Sequence, residues 1–303
     1  MAGFTDLAFR VLCRRNGAGL VCTEMVAASS VERKVANTLV RMRTVEEERP
    51  VSIQVFGDDP EAVARATRDV ERGCDIVGFN MGCPAHQIRR QGCGAALLDR
   101  PELAADLVRA VRSATGKPIL VKVRAGNGAS IDVARFARGL VDAGASGILF
   151  HARTAKQGYS GRADWTLVGR LKDALGVPVI GNGDVVDGAS AERLLRESGA
   201  DGVAVGRAAL GDPRVFSRIA AHLGGAGAAR DSPQDRVADF IEYLRLAEGS
   251  GVSRQHVAVQ AQQFTRGMPG AAALRTAIGA KVELADVVAR FEAAAQGETG
   301  VRA

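Results

Sequence analysis

Short β-branched, apolar runs alternate with amphipathic stretches over the first two thirds of the chain. The runs are LVCTEMV (Leu20 to Val26), VSIQVFG (Val51 to Gly57), IVGFNMG (Ile76 to Gly82), ILVKVR (Ile119 to Arg124), GILFHAR (Gly147 to Arg153), PVIGNGD (Pro178 to Asp184) and GVAVGR (Gly202 to Arg207). Runs this apolar suit parallel strands covered on both faces. The stretches between them carry helix signals. Asp59 stands at an N-cap with Pro60 at the first helical position. The stretch Asp99 to Gly116 ends on a C-cap glycine, and Asp187 to Asp201 repeats that logic.

Strands alternating with helices on this scale predict an α/β fold, and a (β/α)8 TIM barrel fits best. No GxGxxG follows the first strand, so a dinucleotide-binding Rossmann unit is disfavoured. A barrel needs eight strands and seven runs are visible. The missing strand is expected before TDLAFRVLCRRNG, where only Met1-Ala2-Gly3 remains. The expectation is therefore a chain lacking the start of its barrel, with a seven-stranded or rearranged sheet as the alternative. After the glycine- and alanine-rich segment His222 to Asp231 no strand-like run recurs. Residues 1–227 are assigned to the barrel and 228–303 to a small all-α domain, with 297–303 a frayed tail.

Composition narrows the picture. Of 303 residues, 47% are hydrophobic, enough for a sizeable core. No apolar run approaches the ~20 residues of a membrane span, and Asp6 and Arg10 break any signal-peptide pattern. A cytoplasmic protein, not bound to membrane and monomeric, is expected. The five cysteines are an odd number without a CxxC pair, which argues against a disulfide framework and against metal. Most should be buried fillers. The net charge of +6 suits an anionic partner, but arginine greatly outnumbers lysine, so codon bias explains it as well.

The polar residues of the strands cluster near their C-terminal ends: Glu24, Gln54, Asn80, Lys122 with Arg124, His151 with Arg153, Asn182 with Asp184, and Arg207. Barrel active sites are built at that face. A shared ligand-filled mouth explains these groups together, since burying lone charges is costly. Separate satisfaction by salt bridges or loop carbonyls is the competing account for one or two of them. The glycines of GNGDV and GRAALGDP let backbone N–H groups approach an anion, and Arg207 adds a forked donor. Lys122, on an apolar strand, can stabilise negative charge on a ligand. His151 is either a satisfied core residue or a ligand-facing one.

In FNMGCPAHQIRRQGCG, Gly82 and Pro84 turn the chain just past a strand end and leave the Cys83 thiol on the active-site face. A thiol is mostly protonated at neutral pH and can act as a general acid. The loop after it, with Gly92 and Gly94, has the make-up of a flap. Cys93, between two glycines and leading into AALL, reads as packing.

The ordered motifs MAGFTDLAFR, TEMV, QVFG, NMGCP, GCGAALL, VKVRAG, HARTAKQGYSG, GNGD and GRAALGDP, with FTRGMPGAAALR in the helical region, resemble the tRNA-dihydrouridine synthase family over nearly the whole chain. The resemblance implies an FMN enzyme that reduces the C5=C6 bond of a uridine in tRNA with NADPH or NADH. By matching motifs it implies flavin contacts for Met1, Ala2, Gln54, Lys122 and His151. It implies phosphate contacts for Asn182, Gly183, Asp184, Gly206 and Arg207, and a proton-donor role for Cys83. Asn80 and Arg153 are candidates for the uracil edge, and a surface including Arg89 and Arg90, with the helical domain, for tRNA phosphates. Three other readings stay open: an FMN dehydrogenase of free pyrimidines, a non-redox phosphate barrel using Lys122 as a Schiff base, and a catalytically idle RNA-binding protein.

Overall fold

The computed structural model describes residues 2–227, 231–278 and 284–296. It divides into two compact units, Leu20–Gly206 and a second comprising Met1–Gly19 with Arg207–Ala303.

In the first unit all seven apolar runs are strands: β1 Val21–Ala27, β2 Val51–Phe56, β3 Ile76–Asn80, β4 Ile119–Arg124, β5 Gly147–His151, β6 Val179–Asn182 and β7 Gly202–Ala204. They lie in chain order in one parallel sheet. Helices Pro60–Val70, Pro101–Ala114, Val133–Asp142, Thr166–Ala174 and Gly188–Ser198 make the crossovers. Side chains alternate across a strand, so each strand presents two faces. One carries Ile53, Val77, Phe79, Val121, Ile148 and Phe150, all buried. Each such side chain contributes about 1.5–3 kcal/mol of transfer free energy before entropy is counted. The crossover helices meet the sheet through apolar stripes such as Ala62, Val63, Ala66 and Val70. This is the parallel α/β barrel architecture expected, in the form of a curled seven-stranded sheet. Among the described residues no eighth strand pairs with β1 or β7.

The caps follow local chemistry. Asp59 accepts from the Glu61 amide at 3.0 Å, with Pro60 at the first helical position. Asp187 caps Gly188–Ser198, which ends on left-handed Gly199 at φ 64°. The expected glycine cap at Gly116 is not formed. Helix Pro101–Ala114 gives way to extended Thr115 instead. Thr115 Oγ1 accepts from the Lys117 amide at 3.1 Å, and Arg112 Nη2 donates to the Lys117 carbonyl at 2.9 Å.

In the second unit, helix Leu7–Arg15 packs against helix Pro233–Ser250. Asp6 caps the first of these, accepting from the Phe9 amide at 2.8 Å, and also accepts from Tyr243 Oη at 3.0 Å. Gln260 Nε2 donates to the Phe4 carbonyl at 3.1 Å. Phe9, Phe240, Tyr243, Phe264 and Phe291 form one aromatic cluster, with the Phe240 and Phe291 rings stacked at 4.3 Å. These contacts draw residues 2–19 to the C-terminal helices. The compact units thus divide at residues 19 and 206, whereas the sequence pattern changes near residue 228. Ala228 and the expected tail 297–303 lie outside the described residues, as does Met1. Among the described residues no helix is long and apolar enough to cross a membrane.

Candidate active site

Opposite the helix-packed face of the sheet, the alternation places Gln54, Asn80, Lys122, His151 and Asn182. The register puts Asn80 beside Lys122, Arg124 beside His151, and His151 beside Asn182. Asn80 Nδ2 donates to Gln54 Oε1 at 2.9 Å. Gly78 makes room for that pair, since a Cβ there would lie 2.9 Å from Gln54 Cγ and 2.7 Å from Ser52 Oγ. Five of the expected site residues therefore share one face of the sheet in the first unit.

Asn80 also builds the turn that carries the thiol. Its Oδ1 accepts from the amides of Gly82 and Cys83, each at 3.0 Å. The Cys83 carbonyl accepts from the Ala95 amide at 3.0 Å. Gly94 has φ +59°, and a Cβ there would sit 2.9 Å from the Cys83 carbonyl oxygen and 3.0 Å from Cys83 Cβ. A side chain there would be strained by the left-handed backbone and by the close approach together. The flap-like segment contains the helix His86–Arg90 and is tethered by Arg89 Nη1 donating to Asn127 Oδ1 at 2.9 Å. The Cys83 thiol is half-buried. Cys93 is buried, its thiol donating to the Gln91 carbonyl at 3.5 Å. Burial and the Asp58 carboxylate push that thiol up to about 12, which disfavours the reactive thiolate.

Two arginines at the strand ends are almost fully enclosed. Arg153 Nη2 donates to both Asp184 carboxylate oxygens, at 2.7 and 2.8 Å, and to the Gly161 carbonyl at 2.6 Å. Its Nε donates to the Ser160 carbonyl at 3.1 Å, and buried Nη1 has no partner among the described residues. Asp184 also accepts from the Ala163 amide at 2.8 Å. Arg124 Nε donates to the Gly82 carbonyl at 2.9 Å, and its Nη1 to the Thr154 and Gly158 carbonyls, both at 3.1 Å.

The charges crowd. Burial lowers the Lys122 ammonium from its ordinary value, and Arg124 pushes the same way while Cys22 and Cys83 oppose. Among the described residues no group accepts from Lys122 Nζ. Burial, reinforced by Arg124, Lys122 and Arg153 and opposed by Asp184, brings His151 down to about 3. Its imidazole is therefore neutral at physiological pH. Gly183, φ +119°, closes the far side: a Cβ would lie 2.7 Å from Ala163 Cβ and 3.1 Å from His151 Cδ2. Trp165 Nε1 donates to its carbonyl at 3.0 Å, and Asn182 Nδ2 donates to the Ala204 carbonyl at 2.7 Å.

Gly206 ends the first unit, half-buried. Ala2 and Arg207 belong to the second unit, where the exposed Arg207 opens a short 3-10 turn and its carbonyl accepts from Arg266 Nη1 at 3.2 Å. Glu24 pairs with Arg41 Nε at 3.3 Å. Two features escape the sequence reading: Arg124 as a link between loops, and Asp184 as the partner of Arg153. The spacing in VKVR, two ionisable residues on one face of a strand, is the one signal that marks Arg124.

A family model described as "Dihydrouridine synthase (Dus)" matches residues 1–298. The chain is 37% identical over 287 residues to the "Probable tRNA-dihydrouridine synthase 1" of Synechocystis, covering 91% of this chain and 79% of that relative. It is 34% identical over 306 residues to the "Probable tRNA-dihydrouridine synthase" of Aquifex aeolicus, covering 98% and 95%. Among solved structures, histamine dehydrogenase from Rhizobium sp. 4-9 is similar in fold, with a TM-score of 0.55 at 13% identity over 79% of this chain and 46% of that one.

Proposed function

The chain belongs to the dihydrouridine synthase family, and on that premise we propose that it is the oxidoreductase that reduces the C5=C6 bond of a uridine in cytoplasmic tRNA. FMN is its proposed cofactor, with NADPH or NADH as the electron source and Cys83 as the proton donor. When bound, FMN supplies the hydride equivalent that reaches the base. The donor set fits such a group. Lys122 offers an ammonium without an acceptor among the described residues, Gln54 and Asn182 offer amides, and neutral His151 offers an uncharged imidazole. Gly183 keeps the wall free of a Cβ.

The chain's own residues then do the following. Lys122 places positive charge where an electron-rich ligand edge gains most from it in a low-dielectric site. Gln54, His151 and Asn182 orient the ligand, with Gly183, the backbone of Asp184, and Gly206 toward its phosphate. The Asp184 carboxylate is committed to Arg153, so its side chain repels rather than binds an anion. Ala2, Met1 and Arg207 are proposed contacts on their motifs alone. Cys83 holds a proton for C5 of the uracil, and Asn80 fixes the turn that presents it. Asn80 and Arg153 remain the proposed contacts of the uracil edge, on the place of their motifs at the strand ends. Residues 1–227 form the proposed catalytic domain and 228–303 the tRNA-binding one.

The observation that carries this reading is the half-buried thiol on an Asn80-anchored turn beside the strand that bears Lys122. The test is nucleoside mass spectrometry on unmodified tRNA incubated with the protein, FMN and NADPH. A two-mass-unit gain in one uridine supports the reading. Intact tRNA together with oxidation of dihydroorotate would transfer the chain to the free-pyrimidine dehydrogenases.

A further inference from the structure

Arg124 is 4% exposed and makes no ion pair among the described residues. Its three hydrogen bonds all go to backbone carbonyls: Gly82, next to the thiol-bearing residue, and Thr154 and Gly158 in the loop after β5. A buried guanidinium without a carboxylate is a poor device for stability. It is a good device for geometry, because its planar fork fixes several acceptors at once. The turn it holds lies against β4 itself: a Cβ on Gly82 would be 3.4 Å from the Val123 carbonyl carbon and 3.5 Å from Arg124 Cγ. Among the described residues no other hydrogen bond joins Gly82–Cys83 to residues 154–158.

We infer that Arg124 is a positioning residue: it locks the Cys83 turn to the loop 154–158 and so fixes where the thiol points. This deepens the proposed function and rests on Cys83 being the proton donor. The segment 154–158 is the second anchor. Gln157 Oε1 accepts from the Thr154 amide at 2.8 Å, and Thr154 Oγ1 accepts from the Gln157 amide at 3.2 Å. A lysine at position 124 keeps the charge but cannot reach both loops with a single ammonium.

The test compares Arg124→Lys, Arg124→Met and Arg124→Ala with the parent chain. The first readout needs no turnover: the rate of iodoacetamide labelling at Cys83, located by peptide mass spectrometry on protein confirmed folded by circular dichroism. The second is single-turnover reduction of saturating tRNA by pre-reduced enzyme, with and without added guanidinium ion. The account expects labelling at Cys83 to change at least about fivefold in all three variants. It expects single-turnover rates to fall about 10²-fold, the usual cost of misplacing a reacting group by an ångström. Reduction by NADPH should stay within about threefold. Guanidinium should partly rescue Arg124→Ala, whereas Arg124→Lys should stay as slow as Arg124→Met. Unchanged labelling and single-turnover rates within twofold of the parent would overturn the inference, as would full activity in Arg124→Lys. If the parent forms no dihydrouridine, the proposed function fails, and the labelling contrast still decides whether Arg124 places the thiol.

Discussion

Replacing Asp184 by alanine tests how the strand-end charges are held. The carboxylate meets Arg153 Nη2 at 2.7 and 2.8 Å and the Ala163 amide at 2.8 Å. The Arg153 side chain is 2% exposed and that of Asp184 32% exposed. Without the carboxylate, the enclosed guanidinium keeps, among the described residues, the Ser160 and Gly161 carbonyls. Removing one partner of a buried pair costs about 3–5 kcal/mol. The partial exposure of Asp184 puts the expectation at the low end, about 3 kcal/mol. At about 2–4 °C per kcal/mol, the melting temperature should fall by about 6–12 °C. The backbone supplies an internal control. Asp184 has φ +60°, so Asp184→Gly relieves the left-handed penalty and should be about 1 kcal/mol more stable than Asp184→Ala. Urea unfolding and calorimetry read both differences. An alanine variant within about 1 kcal/mol of the parent, or a glycine variant below the alanine one, would refute the reasoning.

Three further outcomes follow from the same geometry. His151 sits near 3 in the fold against 6.5 when unfolded, so the unfolded chain binds the extra proton and stability is lost as pH falls from about 6.5 toward 3. His151→Gln should flatten urea-unfolding stability over that window by up to about 1.4 kcal/mol per pH unit. Gly94→Ala puts a Cβ 2.9 Å from the Cys83 carbonyl oxygen at φ +59°. It should cost at least about 1–2 kcal/mol and slow tRNA reduction more than flavin reduction by NADPH, measured by stopped-flow absorbance. Cys93→Ala should leave turnover within about twofold, and native Cys93 should escape alkylation at pH 8 while Cys83 reacts, because burial and Asp58 hold its thiol near 12.

The strands were legible because each is a continuous apolar run, and Asp59 and Asp187 announced their helices by cap chemistry that is local. Gly116 misled because a threonine hydroxyl and an arginine satisfy that helix end, and neither pattern needs a left-handed glycine. Helix Ala36–Met42 was not anticipated, since it buries only Thr38 and shows no apolar stripe. The joining of residues 1–19 to the C-terminal helices depends on pairs such as Tyr243 with Asp6, 237 residues apart in the chain. Of the polar strand ends, Gln54, Asn80, Lys122, His151 and Asn182 were readable from their place near the C-terminal ends of apolar runs. The tasks of Arg124 and Arg153 were not, because their acceptors are mostly carbonyls, which every residue carries.

The most direct measurement follows one proton. Pre-reduced enzyme in deuterated water is given unmodified tRNA for a single turnover, and the product nucleoside is read by mass spectrometry and NMR. Dihydrouridine with a solvent deuterium at C5 is predicted for the parent chain, resolved by NMR from the deuterium that exchange at the reduced flavin brings to C6, with a rate of C5 deuteration lower by about 10²-fold or more in Cys83→Ala with tRNA still bound. C5-deuterated product appearing at the parent rate in Cys83→Ala would contradict the account.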